Sequence, residues 1–189
     1  MIGAEVDDQV GDEVDDETAP AGPGTSGSAA AGMLPAYAEW LERVTATVEA
    51  VSYTCRVRLG DAVVGEAIAV RVAAGLIDRP AVFRHWGLPY SGRIAKLAED
   101  AIDDAVQGLL GATPPWSQLL EALVRVPPHH QRTLVLTCVE GCSDEELAAE
   151  LCCDAVAAGQ HRARAMDHLR GLAATFRPPP RARITGPTS

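Results

Sequence analysis

Apolar residues recur three or four positions apart from Leu34 onward, and this spacing places them on one face of a helix. Three such stripes can be followed, over residues 34–55, 64–76 and 94–109. No stretch of useful length alternates with the period of two that a β-strand requires. The sequence therefore predicts an all-α fold, in which these three helices form a small bundle over residues 33–111.

The composition changes at points that suggest domain boundaries. Residues 1–32 join an acidic run to a Pro-, Gly- and Ser-rich stretch that is too poor in apolar side chains to fold, so we predict a disordered acidic tail. Two prolines end the stretch 111–115, and a residue before a proline avoids helical angles. We therefore place a Pro-containing linker at 112–118, a second small helical domain at 119–175, and a basic disordered tail at 176–189.

Charge is distributed unevenly along the chain. The formal net charge is −10, yet residues 1–18 carry eight acids and no base, whereas residues 155–189 carry six bases and one acid. Binding to phosphates depends on Lys and Arg. Any contact with nucleic acid is therefore expected near the C-terminal end.

The sequence predicts neither a membrane span nor an export signal. Arg71, Asp78 and Arg84 interrupt its most hydrophobic part before that part reaches the ~20 apolar residues that a bilayer crossing needs. The chain starts with an acidic stretch, whereas a secretory signal starts with positive charge. Five cysteines, an odd number, suit reduced thiols better than a disulfide framework. We expect a cytoplasmic protein that does not bind membranes.

The most specific local signal lies in the second domain. Ser143-Asp144-Glu145-Glu146 is a capping box, which predicts a helix start at Asp144. Asp154 can then cap a longer helix that runs through Arg170. A short helix, a tight turn and a longer basic helix predict a helix-turn-helix, whose second helix enters the major groove.

The outward face of that second helix carries side chains suited to DNA. Gln160, His161 and Arg164 share this face, and Arg162 stands at its flank. Gln and Arg can read base edges, and Arg can also hold phosphate. We take these four residues as DNA-binding candidates.

A group of residues around this motif also resembles a known family. It consists of Val126-Pro127-Pro128-His129-His130-Gln131-Arg132-Thr133-Leu134-Val135-Leu136, Val139-Glu140-Gly141-Cys142-Ser143, Glu146-Leu147-Ala148, Arg164-Ala165-Met166 and Leu169-Arg170. Together these residues resemble region 4, the C-terminal DNA-binding domain of bacterial extracytoplasmic-function sigma factors. The resemblance implies contacts with promoter −35 double-stranded DNA and with core RNA polymerase, and it adds Arg132 to the DNA-binding candidates. An anti-sigma factor is a further possible partner.

The first domain is similar, over shorter stretches, to region 2 of the same family. Residues 61–68 are similar to the helix that docks on the polymerase clamp helices, which makes Val63, Val64 and Glu66 polymerase-binding candidates. Two stretches, Phe83-Arg84-His85-Trp86 and Arg93-Ile94-Ala95-Lys96-Leu97-Ala98, are similar to the promoter-melting segment, with about four extra residues between them around Pro89-Tyr90-Ser91-Gly92. Melting needs aromatic rings that capture an unstacked base and cations that hold the single strand. The candidates for promoter melting are Phe83, Arg84, Trp86 and Tyr90.

Two residues of the predicted helix-turn-helix depart from the family pattern. Cys152 stands where the family usually has a turn glycine, and a side chain there disfavours a left-handed backbone. Gly159 lies inside the recognition helix, where a basic residue is usual. These departures keep open a second hypothesis, a pseudo-sigma regulator or interaction module that binds polymerase or a sigma or anti-sigma partner without promoter recognition.

The sequence offers no pattern typical of an enzyme. It contains no Gly-rich phosphate loop, serine elbow or His-Glu-x-x-His motif, so we predict neither catalysis nor a cofactor. Cys138, Cys142, Cys152 and Cys153 fall close together, but their spacing is not that of a zinc site. We predict that they fill the domain core, and we keep a thiol-based sensor on a DNA-binding scaffold as a third hypothesis.

Overall fold

The computed structural model describes residues 32–177, which form seven α-helices and two shorter helical segments. No strand lies among these residues, so the all-α prediction is confirmed. The predicted acidic tail up to residue 31 and the basic tail from residue 178 lie outside the described residues. The α-helices are α1 (Pro35–Leu59), α2 (Ala62–Ile77), α3 (Leu88–Val106), α4 (Trp116–Val124), α5 (Pro128–Leu134), α6 (Asp144–Leu151) and α7 (Ala155–Thr175).

Local chemistry explains where several of these helices begin. The Asp61 carboxylate accepts hydrogen bonds from the backbone N–H groups of Val63 and Val64, at 2.8 and 3.1 Å, and thereby caps α2. Prolines occupy the first turn of α1, α3 and α5, where a missing N–H leaves no bond unmade. A short 3₁₀ helix (Pro80–Arg84) separates α2 from α3, and α5 continues as a π-helical segment (Val135–Glu140).

The third helix begins earlier and ends earlier than its apolar stripe predicts. It starts at Leu88 rather than near Ile94, because Pro89 fits the first turn. It ends at Val106, and Leu109 lies beyond it, because the chain turns through a left-handed Gly108.

The central helix of the bundle is α2, which is buried along most of its length between α1 and α3. Gly65 allows α1 and α2 to approach closely, since a Cβ at Gly65 would lie 3.0 Å from the Ser52 carbonyl oxygen and the Arg56 nitrogen. None of the helices between residues 32 and 177 combines the length and hydropathy needed to cross a membrane.

The two predicted domains share one apolar core in this structure. Buried side chains of α1 and α2 are continuous with buried side chains of α4, α5 and α7, among them Leu119, Leu134 and Leu169. Hydrogen bonds cross the same boundary: the Tyr37 hydroxyl donates to the Leu123 carbonyl oxygen at 2.9 Å. The 119–175 segment is therefore held in a defined position against the first bundle.

The predicted linker is anchored at both ends. Arg71 on α2, which is only 8% exposed, donates to the Leu110 carbonyl oxygen and to the Thr113 hydroxyl. At the other end, the Glu66 carboxylate accepts a hydrogen bond from the backbone N–H of Trp116, 3.1 Å away, at the first residue of α4. A carboxylate is favourable at this position because a helix N-terminus carries partial positive charge.

Candidate nucleic-acid interface

The short helix α6 begins with the reciprocal cap that the sequence predicts. The Ser143 hydroxyl accepts from the Glu146 N–H at 3.2 Å, and the Glu146 carboxylate accepts from the Ser143 N–H at 2.8 Å. Both bonds satisfy N–H groups that a helix start otherwise leaves without a partner. The predicted helix start at Asp144 is confirmed.

A three-residue turn joins α6 to α7. Cys152 ends α6 with φ 52° and ψ 46°, and within the described range it is the only residue other than glycine with a positive φ. The Asp154 carboxylate accepts from the Ala157 N–H at 2.7 Å and caps α7, as predicted. Cys152 adopts the left-handed conformation that glycine normally provides. The backbone of Cys152 is therefore strained.

We expect the variant Cys152→Gly to be more stable than the natural chain. A left-handed backbone costs a residue with a side chain ~1–2 kcal/mol, and glycine recovers part of this despite its greater freedom when unfolded. The free energy of unfolding, measured with urea, should rise by about 0.5–1 kcal/mol. Cys153→Gly is the matched control, since its backbone is not left-handed, and it should lower stability. A loss of stability at Cys152→Gly would contradict this account of the turn.

A small apolar cluster fixes the angle between α6 and α7. Leu147 and Ala148 of α6 pack with Ala158 of α7 and with Leu136 of the π-helical segment, and all four are buried. Leu151, Cys142 and Cys153 pack around them. The cluster holds α6 across the start of α7 and leaves the opposite side of α7 in solvent.

Gln160 and Arg164 lie on that solvent side. Both are exposed, and they are four residues apart, so their side chains stand one above the other. Neither makes a hydrogen bond or ion pair to another residue of the described part of the chain. Val156 and Ala163 are also exposed on this side of α7. We call Val156, Gln160, Ala163 and Arg164 the outward face of α7.

The other predicted DNA-binding residues are differently placed. Arg162 reaches back to α6, where its guanidinium lies 2.6 Å from the Asp144 carboxylate and donates to the Cys142 carbonyl oxygen at 2.9 Å. Arg132 donates to the Glu150 carbonyl oxygen at 2.7 Å and lies 3.5 Å from its carboxylate. These two arginines neutralise acids of α6. His161 is half-buried, and its charge acts on His130 of α5.

We expect Arg162→Ala to destabilise the fold. Its side chain is 28% exposed and ties α7 to the start of α6 through an ion pair with Asp144 and a hydrogen bond to the Cys142 carbonyl oxygen, so its loss should cost about 1–2 kcal/mol in the free energy of unfolding. Arg164→Ala is the control on the same helix, and its unfolding midpoint should stay near that of the natural chain. Equal stabilities for the two variants would show that the contacts of Arg162 contribute little.

The promoter-melting candidates are packed within the described structure. Phe83 is fully buried and meets Trp40 edge-on, with ring centroids 5.2 Å apart. Tyr90 is 7% exposed, and its hydroxyl is hydrogen-bonded to Thr47, 2.9 Å away. Trp86 is half-buried under the guanidinium of Arg43. In this conformation neither the Phe83 ring nor the Tyr90 ring can stack on a base, although the sequence predicts that role.

Arg84 is exposed but spans the boundary between the two predicted domains. Its guanidinium donates to the Thr137 carbonyl oxygen at 3.1 Å and lies over Gly141. A Cβ at Gly141 would stand 2.6 Å from the Arg84 Nε, and Gly141 also has φ 82°, so only glycine fits there. Arg84 therefore binds the π-helical segment through the Thr137 carbonyl oxygen.

The polymerase-binding candidates lie at the start of α2. Val63 is 78% exposed and Val64 is half-buried, and both border a groove whose other wall is the linker. Glu66 is exposed but already accepts the Trp116 N–H. An exposed valine is typical of a contact surface only when its neighbours are also apolar, and here Ala67, Pro114 and Pro115 line the same groove.

The cysteines are better suited to packing than to redox chemistry at three positions. Burial raises the pKa of Cys138 to about 12. The pKa values of Cys55 and Cys142 are also raised, in both cases chiefly by burial. Because the thiolate is the reactive form, a raised pKa makes a thiol less reactive. Among residues 32–177 no three His, Cys, Asp or Glu side chains converge in a way that could hold a metal ion.

Comparisons with known proteins do not assign the chain to a family. No family model, no curated protein and no solved structure matches it. The function must therefore be inferred from the residues themselves and from their arrangement on α5, α6 and α7.

Proposed function

We propose that the chain is a sigma-factor-like transcription initiation protein. It binds core RNA polymerase in the cytoplasm and recognises promoter −35 DNA through a helix-turn-helix of region 4 type formed by α6 and α7. One observation carries the proposal: a doubly capped short helix and a tight turn present a long helix whose outward face holds Gln160 and Arg164 without internal partners.

In this proposal α7 lies in the major groove. Arg can donate two hydrogen bonds to the O6 and N7 of guanine, and Gln can pair with the N6 and N7 of adenine. Val156 and Ala163, exposed beside them, offer apolar contact to thymine methyl groups. A helix-turn-helix reads bases with the first turns of its second helix, and the outward face begins one residue after the first residue of α7.

The acids of α6 oppose the DNA backbone, and the two arginines that pair with them reduce that repulsion. Arg162 pairs with Asp144 and Arg132 pairs with Glu150, so both bases support DNA binding indirectly. Arg164 is then the exposed cation on the outward face of α7. Since each phosphate contact depends on a cation, we expect weak binding by the isolated chain and stronger binding with polymerase bound.

Polymerase binding falls, in this proposal, to the 33–111 domain through Val63, Val64 and Glu66. The contacts across the shared core suit a form of the protein that is not bound to polymerase, because a −35 element and the polymerase would engage the two domains separately. An anti-sigma factor that holds the two domains together is a compatible partner. No role at a membrane is proposed.

A second candidate function is favoured by the placement of the melting candidates. Phe83 and Tyr90 are buried, and Arg84 is bonded to Thr137. A protein built in this way suits an adaptor or pseudo-sigma regulator, which binds polymerase or a sigma or anti-sigma partner without promoter recognition. Strand opening would then be absent.

Reconstituted transcription tests the two candidates against each other. Core RNA polymerase is mixed with the full chain and a library of genomic fragments, and run-off products are sequenced. The first candidate predicts products that start at a shared promoter motif and disappear when the chain is omitted. Co-purification with core polymerase but no initiation would reject the first candidate and support the second.

A further inference from the structure

Four of the five histidines gather on one surface. His129 and His130 follow Pro128 in the first turn of α5, and their ring centroids are 4.1 Å apart. The ring of His168, on α7, lies 5.2 Å from that of His130. His129 is exposed and the other three are half-buried, so solvent and ligands can reach the group. We call His129, His130, His161 and His168 the histidine cluster.

The histidine cluster adjoins the outward face of α7. Positions 161, 164 and 168 are three and four residues apart, so they follow one side of the helix. Arg164 lies between this side and the side of Gln160. Helix α5 packs directly on α7, and this contact brings His129 and His130 to the same place.

The charges that face His130 are those of bases. Burial lowers the pKa of His130 below its usual value, and the charges of His129, His168, His161 and Arg164 lower it further. The nearby acids of α6 and α7 are engaged elsewhere: Glu150 faces Arg132, and Asp167 lies 2.9 Å from Arg170. The π-helical segment, which also contacts α5, adds no charge that acts on His130.

We propose that the histidine cluster, which lies next to Arg164, forms a proton-gated phosphate-binding site that holds the DNA backbone beside the base pairs read by the outward face of α7. This inference rests on the proposed DNA-binding function. Adjacent imidazoles resist protonation together, and a phosphate placed between them removes that resistance. Binding of the phosphate and uptake of protons are therefore linked, and each promotes the other.

This linkage determines how the affinity of the site for phosphate changes with pH. Histidine in general gains positive charge as the pH falls through about 6.5, so a phosphate held by the cluster should bind more tightly near pH 6 than near pH 8. Protonation has the opposite effect on the stability of the free protein. Because the pKa of His130 is lower in the folded chain than in the unfolded chain, the free energy of unfolding falls as the pH drops through the histidine range.

A titration with inorganic pyrophosphate tests the site without DNA. The histidine Cε1 protons of the full chain are followed by NMR against pH, with and without millimolar pyrophosphate. We expect pyrophosphate to raise the pKa values of the cluster by about 0.5 unit or more, with His85, an exposed histidine outside the cluster, as the internal reference. If the cluster titrates identically in both conditions, the phosphate site is disproved.

A duplex-binding series tests the link to DNA. The affinity of the full chain for a fluorescent mixed-sequence duplex is measured at constant ionic strength near pH 6 and near pH 8, where the expected tightening at the lower pH is about tenfold or more. The variant His129→Gln/His130→Gln/His168→Gln should lose most of this tightening, and His85→Gln should keep it. Circular dichroism at both pH values checks folding.

The outcomes separate the inference from the proposed function. Duplex binding that does not change with pH, or that changes equally in the triple variant, would overturn the proton-gated site and leave DNA recognition by α7 standing. No duplex binding at either pH would overturn the proton-gated site, and the proposed function falls with it if the chain also fails to retain duplexes when core RNA polymerase is present.

Discussion

Replacing Phe83 with alanine should lower the free energy of unfolding by about 3–5 kcal/mol. The Phe83 side chain is fully buried, and its ring lies 5.2–5.9 Å, between centroids, from the rings of Trp40, Trp86 and Tyr90. Alanine would leave a cavity at the centre of this aromatic group, and the surrounding rings can close it only in part. Urea denaturation followed by circular dichroism measures the effect.

Phe83→Leu is the matched control, because it preserves most of the apolar volume and should cost less than about 1.5 kcal/mol. A residue whose purpose is to capture a base from the promoter would stand in solvent before DNA binds. Its replacement would then change strand opening and leave stability nearly untouched. A loss of less than about 1 kcal/mol for Phe83→Ala would contradict the core position of this ring.

The second large effect concerns binding rather than stability. The variant Gln160→Ala/Arg164→Ala should bind promoter duplex at least about 30-fold more weakly, because each base contact of this kind contributes ~1–3 kcal/mol. Its free energy of unfolding should stay within about 0.5 kcal/mol of the natural value, because both side chains are exposed and have no partner in the described part of the chain. Fluorescence anisotropy with a duplex taken from the transcribed fragments measures the affinity.

Arg125→Ala is the matched control, because it removes one positive charge, as the double variant does. Arg125 is exposed at the end of α4, where it pairs with Glu121 rather than with any residue of α7. Its removal should change duplex affinity by less than about threefold, since a single distant charge contributes only a small, salt-dependent term. Equal losses in the two variants would mean that only net charge matters and that α7 does not read bases.

The local structure of α6 and of the start of α7 could be predicted from the sequence because its determinants are close together in the chain. Ser143 and Glu146 satisfy each other's N–H groups within one turn, and Asp154 caps α7 three residues away. The apolar stripes of α1 and α2 follow from the helical period for the same reason. The left-handed backbone of Cys152 could not be predicted in this way, because a side chain disfavours that conformation and the turn between α6 and α7 adopts it nonetheless.

The partners of the charged residues could not be predicted, because they depend on which helices meet in space. The sequence predicts a DNA contact at Arg162, yet α6 brings Asp144 within 2.6 Å of it. The histidine cluster could not be predicted either, because more than thirty positions separate His130 from His168 in the sequence. The packing of α5 on α7 brings the two rings together. Likewise, only the shared core reveals that Phe83 is enclosed by Trp40.

Selection from a pool of random-sequence DNA duplexes tests most directly whether the outward face of α7 reads DNA. The full chain, with core RNA polymerase present, is used to retain duplexes over several rounds, and Gln160→Ala/Arg164→Ala is carried in parallel. We predict that the natural chain enriches one short motif and that the double variant retains duplexes without enriching it. Enrichment of the same motif by both chains, or of none by the natural chain, would contradict recognition of DNA by Gln160 and Arg164.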